Sequence, residues 1–135
     1  MFSNNENLKD KIQLLKEIRL QILRLHKLLV DDERQTYENQ NGQMSSGQFL
    51  QILLGNESFS WLRKFSTLIV EIDEMLELND GYSKEIIEKH FIQLQNLLNF
   101  DSIDKEFNLK YKNSIQNNSE IKAKHKELKG LLMLK

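Results

Sequence analysis

The stretch from Ser58 to Leu78 reads SFSWLRKFSTLIVEIDEMLEL, and its reading decides the fold. Trp61, Phe65, Leu68, Ile72 and Met75 recur at steps of four and three, and Leu62, Ile69 and Leu76 widen the stripe. At 3.6 residues per turn, that spacing returns the apolar side chains to one side of an α-helix. The stretch also holds the only tryptophan of the chain. Ser58 is placed to cap its N-terminus, and Gly81, after Asn79 and Asp80, to close its C-terminus. The spacing predicts a helix that serves as the central rod of a small helical domain.

Upstream, a first helix is expected from Asn5 or Glu6 to Glu38 or Asn39. Leu8, Leu15, Ile22 and Leu29 stand seven apart, with Ile12, Ile18 and Leu25 between them. A heptad repeat makes a coiled-coil seam, but Leu14, Leu20, Leu23, Leu28 and Val30 broaden the face beyond what a two-stranded seam needs. At ~1.5 Å per residue this helix is about 50 Å long, and the central one about 30 Å. Asn39 to Met44 reads as a loop, marked by Asn41 and Gly42. Ser45 with Gln48 three residues on forms a capping box. It opens a short helix over 47–54, with Phe49, Leu50 and Leu53 inward and Ile52 beside them, and Gly55 ends it.

Downstream, Ser83 caps a helix from Lys84 to Asn99, with Ile87, Phe91, Leu94 and Leu98 as its seam and Ile86, His90 and Leu97 flanking. Asp101 with Asp104 starts the next, with Ile103, Phe107, Tyr111 and Ile115 inward. Asn117-Asn118-Ser119 interrupts it. Asn118 or Ser119 then caps a last helix through Leu132, with Ile121, Leu128, Leu131 and Leu132 apolar. The expected fold is all-α: a single-domain bundle of four to six helices, residues 1–135, with a long N-terminal helix.

Composition narrows the function. Of 135 residues, 39% are hydrophobic and 29% charged, which fits a soluble globular chain. There is no proline to disrupt a helix interior and no cysteine to supply a disulfide, a thiolate metal site or a thiol nucleophile. No apolar run is long enough to span a membrane or form a signal peptide, so a cytoplasmic location and no membrane are expected. The net charge is −1, which disfavours nucleic acid as a partner. Glutamate stands three positions before none of the three histidines, as a di-iron bundle would require. No metal or other cofactor is expected. His26 and His90 read as boundary residues beside apolar seams, and His125 as part of a solvated lysine-rich face. No Gly-x-Ser-x-Gly and no phosphate-binding loop are present, so enzymatic activity is not expected.

One polar constellation stands out. Asp31, Asp32, Glu33, Arg34, Tyr37 and Glu38 close the first helix, and Trp61, Arg63 and Lys64 open the central one. Two short turns and the short helix bring these ends near each other. Arg34, Tyr37, Glu38, Trp61 and Arg63 are the candidate ligand-binding residues, the arginines receiving an anion and the aromatic rings stacking. The plainer reading, ion pairs that fix helix ends with Trp61 in the core, is preferred. Lys122, Lys126 and Lys129 share one helix face and read as solvated.

Glu33-Arg34-x-x-Tyr37-Glu38, Gly42, Phe59-x-Trp61-Leu62-Arg63, Ser66 and Asp73 together resemble a family of small uncharacterised bacterial proteins. Phe107-x-x-x-Tyr111 and Gln116 resemble its C-terminal part, where such proteins tend to carry a proline near the position of Ser119 here. The resemblance covers most of the chain. It implies a helical bacterial protein with a break near Asn118, and it supplies no activity.

The leading expectation is an interaction or scaffold module that self-associates, with a ligand- or anion-binding regulatory module as the alternative. The partner is a second copy or another protein. A homodimer through the long first helix is expected, because the neighbouring helices are about half as long and its apolar stripe would otherwise stay wet.

Overall fold

A computed structural model describes residues 2–78 and 83–135, with side chains from Leu8 onward. Among the described residues there are six α-helices, one 3-10 segment and no strand: α1 (Phe2–Asn41), α2 (Ser46–Gly55), the 3-10 segment (Glu57–Leu62), α3 (Arg63–Glu77), α4 (Lys84–Leu98), α5 (Lys105–Asn117) and α6 (Ser119–Leu132). The fold is all-α with a long N-terminal helix.

The helix ends follow from their caps. Ser45 accepts from the backbone N–H of Gln48 while the Gln48 side chain accepts from that of Ser45, a complete capping box for α2. Ser83 accepts from Ile86 N–H, Asp104 from Phe107 N–H, and Asn118 from Glu120 and Ile121 N–H. Gly42 closes α1 in the left-handed region at φ 87°, its N–H donating to Glu38 O. The expected glycine terminator after α3, Gly81 with Asn79 and Asp80, lies outside the described residues.

Several local expectations are corrected. The helix foreseen from Ser58 begins at Arg63, because residues 57–62 wind as a 3-10 segment. That segment is capped by Asn56, whose side chain accepts from Ser58 N–H, so Ser58 is the donor and not the cap. Gly55 lies within α2, and the chain leaves that helix through Asn56 in an extended conformation rather than through a left-handed glycine. Leu50 and Ile103, both expected inward, are 52% and 98% exposed.

The main core is an antiparallel arrangement of α1, α3, α4 and α6. Tyr37 near the C-terminal end of α1 packs on Phe59, and Arg19 further up α1 pairs with Asp73. The 3-10 segment and α3 therefore run back along α1. In the same way, Asn118 donates to Asp32 and Lys124 to Gln21, so α6 also descends along α1. Ile12, Leu15, Ile18, Ile22, Leu25 and Leu29 of α1 are all buried against these helices. The element at the centre is thus α1, not the Trp61-containing helix. Its apolar stripe is covered within one chain, chiefly by α6. The length mismatch that motivated pairing through α1 is resolved internally.

Phe107 and Tyr111 of α5 build an aromatic cluster with Trp61 and Phe65, at ring separations of 6.0 Å for Trp61–Phe107 and 5.2 Å for Phe65–Tyr111. Edge-to-face and tilted contacts of this kind add to the area buried. The face chosen from the three-and-four spacing is the buried one: Trp61, Phe65, Leu68, Ile72 and Met75 are each at most 4% exposed.

Candidate functional site

Four of the five residues proposed from sequence fall around the short helix α2; the fifth, Trp61, does not. Arg34 Nη2 donates to the Met44 carbonyl at 2.8 Å and its Nε to Glu38 at 3.4 Å, and Glu38 accepts from Met44 N–H at 2.9 Å. One arginine and one glutamate thus hold both backbone groups of the residue that leads into α2. The Arg34 guanidinium also lies 5.3 Å over the Phe49 ring, the buried anchor of α2. Phe49 meets Phe59 edge-on at 6.0 Å, and Tyr37 packs on Phe59 at 5.9 Å. At the other end, Arg63 Nη2 donates to the Leu54 carbonyl at 2.8 Å, satisfying an acceptor that the helix C-terminus leaves without an intrahelical partner. Trp61 is 2% exposed and turned toward Phe107. Its indole N–H has no acceptor among the described residues.

Arg34, Tyr37 and Glu38 therefore do come together, Arg63 stands at the far end of α2, and Trp61 belongs to the core. The constellation is a mount for α2, clamped by an arginine at each end and seated on aromatic rings. Asp32, another carboxylate of the constellation, accepts from Asn118 and meets neither arginine.

What the mount presents is a surface that sequence reasoning passed over. From Asn39 to Asn56 no residue is charged, in a chain where 29% of residues are. α2 lies within this run and is, among the described residues, the one α-helix without a charged side chain. Phe49 points inward, Ile52 and Leu53 are half-buried, and Leu50 and Leu54 are 52% and 63% exposed. Gly47, Leu50, Gln51 and Leu54 fall within an arc of about 100° at 3.6 residues per turn. The available signal was this absence of charge over 39–56, set against the apolar density of FLQILL.

Other features are structural in geometry. His125, expected on a solvated face, is buried on the inner side of α6, and its Nδ1 lies 2.7 Å from the Tyr111 hydroxyl. The lysines placed with it, Lys122, Lys126 and Lys129, are exposed. Burial pushes the Tyr111 phenol up and the His125 imidazole down to about 4. At neutral pH the phenol keeps its proton and the imidazole is uncharged, so a single neutral hydrogen bond joins them. His90 is buried and pairs with Gln93, and His26 is half-buried, its pKa lowered by desolvation. Burial also raises Glu33.

A groove of about 610 Å³ runs between α3 and α4, lined by Arg63, Lys64, Glu71, Gln93, Asn96 and Asp104 among others. It mixes both signs of charge, and its polar groups pair with one another: Lys64 stands 3.9 Å from Asp104, and Gln93 donates to Glu71 at 3.3 Å. Among the described residues, no cluster of three or more histidine, aspartate or glutamate side chains is placed to hold a metal ion, and no helix is long and apolar enough to cross a membrane.

Comparison with protein-family models, with curated proteins and with solved structures gives no match for this chain.

Proposed function

We propose that this is a small cytoplasmic interaction module that self-associates, bacterial by the resemblance its motifs carry. The observation behind the reading is the face of α2. It exposes Leu50 and Leu54 on a helix without charge, and that helix is held in place from behind by Arg34, Glu38 and Arg63. A mount of this kind keeps a leucine face on the surface, where it could otherwise fold inward. Charge is depleted and large apolar groups are enriched at the centres of protein interfaces.

Other exposed apolar side chains are weaker candidates. Val70, Ile92 and Leu109 stand one to a helix, and Leu20 and Leu23 of α1 sit among Lys16, Arg24 and Lys27. Single surface hydrophobics are ordinary.

Sedimentation equilibrium tests the reading. The weight-average mass should rise above the 16.0 kDa of one chain as concentration increases. A constant 16.0 kDa up to about 1 mM, where an association of even ~4 kcal/mol shows, would defeat self-association.

A further inference from the structure

We infer that two copies of this chain pair through α2 in an antiparallel, two-fold arrangement that seats Leu54 of each copy against Gly47 of the other. The inference rests on the self-association reading above and names its surface and register.

The occupant follows from charge. A two-fold contact places a patch on itself, so a patch with net charge repels its own copy. The α2 face has none, and the charged groups nearest it balance in sign: Glu57 and Arg63 at its C-terminal end, Glu38 and Arg34 behind its N-terminal end. A partner recognised by charge finds nothing to read there. A second identical apolar face fits it without an unpaired charge being buried.

The register follows from shape. Along the helix axis, Gly47 and Leu54 lie at opposite ends of the exposed face, and Leu50 and Gln51 midway between them. In an antiparallel pair centred between Leu50 and Gln51, Gly47 meets Leu54 and Leu50 meets Gln51. The glycine leaves room for the leucine: a Cβ built at Gly47 meets nothing within 4 Å, so the space in front of it is open. Parallel pairing would set Leu54 on Leu54 and Gly47 on Gly47, crowding one end and leaving a void at the other. Helix dipoles also oppose favourably in the antiparallel sense. A ten-residue helix is about 15 Å long, so the contact falls short of the ~1,200 Å² of a stable standard interface, and the pair forms reversibly at high concentration.

The test uses two variants of the full chain, Gly47→Glu and Leu54→Lys. An acid in the first turn of α2 and a base in its last turn both suit the helix dipole, and both positions are exposed, so both variants fold. Far-UV circular dichroism and Tm check this, and Leu50→Lys serves as a second disruption. Each variant alone should lose association by about tenfold or more, because pairing buries an unmatched charge. An equimolar mixture should recover it, since the introduced acid then faces the introduced base in one contact and the native Leu54 faces the native Gly47 in the other.

Wild type that stays at 16.0 kDa defeats the self-association reading and this inference together. Wild type that associates, with both variants associating equally well, overturns the α2 surface and leaves the reading standing. Monomeric variants whose mixture stays monomeric overturn the antiparallel register.

Discussion

Phe100 is the residue with the least ordinary backbone. It has φ 60°, the only positive value among the described non-glycine residues. Its N–H donates to Leu97 O and that of Asp101 to Asn96 O, the paired bonds of a Schellman motif closing α4. Glycine is the usual occupant of this left-handed position, because a Cβ there costs about 1–2 kcal/mol. The offset lies in the ring, which stacks on His125 at 5.8 Å and packs on Tyr111 at 5.7 Å. Phe100→Ala keeps the strain and loses the ring, whereas Phe100→Gly loses the ring and relieves the strain. Urea unfolding should therefore rank wild type above Gly above Ala, with Gly and Ala about 1 kcal/mol apart. Equal stability for the two variants would remove the strain argument. The neighbouring His125 makes a pH prediction. Its pKa falls from an ordinary 6.5 to about 4, through burial first and Lys129 second. The unfolded chain takes up a proton as pH drops through 6.5 and the folded chain does not until about 4. Stability from this residue is complete above that range and is lost as pH falls through it. Tm should thus decline from pH 7 to pH 5, and His125→Gln should flatten the decline; His26, lowered in the same sense, supplies a remainder. Identical slopes would mean that His125 is not held neutral. Seen as sequence, His125 sits among Lys122, Lys124, Lys126 and Lys129, and that company suggested a wet face. Its buried partner Tyr111 is on another helix, which the pattern of α6 alone does not reveal.

At the scale of elements, α2 owes its place to side chains outside it. Arg34→Ala removes the donor to the Met44 carbonyl, the counter-charge of Glu38 and the cation over Phe49. It should lower stability by about 1–2 kcal/mol and speed hydrogen exchange along α2. Arg63→Ala acts at an exposed carbonyl, so faster exchange near Asn56 with little change in Tm is expected. Inorganic phosphate that raises the Tm of wild type, but not of the Arg34 variant, would revive the anion-binding reading of this patch. The caps of α2 and α4 were legible as Ser45 and Ser83, while those of α5 and α6 were read only to a pair, Asp101 with Asp104 and Asn118 or Ser119, of which Asp104 and Asn118 do the capping. The 3-10 segment was not. Apolar groups at Phe59, Trp61, Leu62 and Phe65 fit a 3-10 or an α pitch over so short a span, and both Asn56 and Ser58 are good capping residues. Leu50 was misassigned because FLQILL is apolar nearly all round, so periodicity cannot say which of its residues face out.

At the scale of the molecule, the class of fold was legible in the heptads of α1 and the stripe of α3, while the order of contacts was not. What covers α1 depends on pairs far apart in sequence: Arg19 with Asp73 at 2.7 and 3.0 Å, and Lys124 with Gln21 at 2.8 Å. Gln21 is 3% exposed and satisfied twice, by Lys124 and by Glu17, so it fixes the position of α6 on α1 without leaving a buried polar atom unpaired. Local pattern carries no record of such pairs. The internal cover has a sharp consequence at Leu15, which is 1% exposed. If α1 were a dimer seam, Leu15→Glu would turn a dimer into a folded monomer. In the observed fold the same carboxylate is placed inside one chain, beside buried Ile12 and Ile18, and the cations one turn away, Lys11 and Arg19, are already paired with Glu88 and Asp73. An unpaired buried charge costs several kcal/mol, against a total stability of about 5–15 kcal/mol for a domain. Leu15→Glu should therefore lose helical circular dichroism and its cooperative melt, while Leu54→Lys, on the surface of α2, keeps both. A folded, cooperative Leu15→Glu chain of 16.0 kDa would return the interface to α1 and leave α2 as an ordinary surface helix.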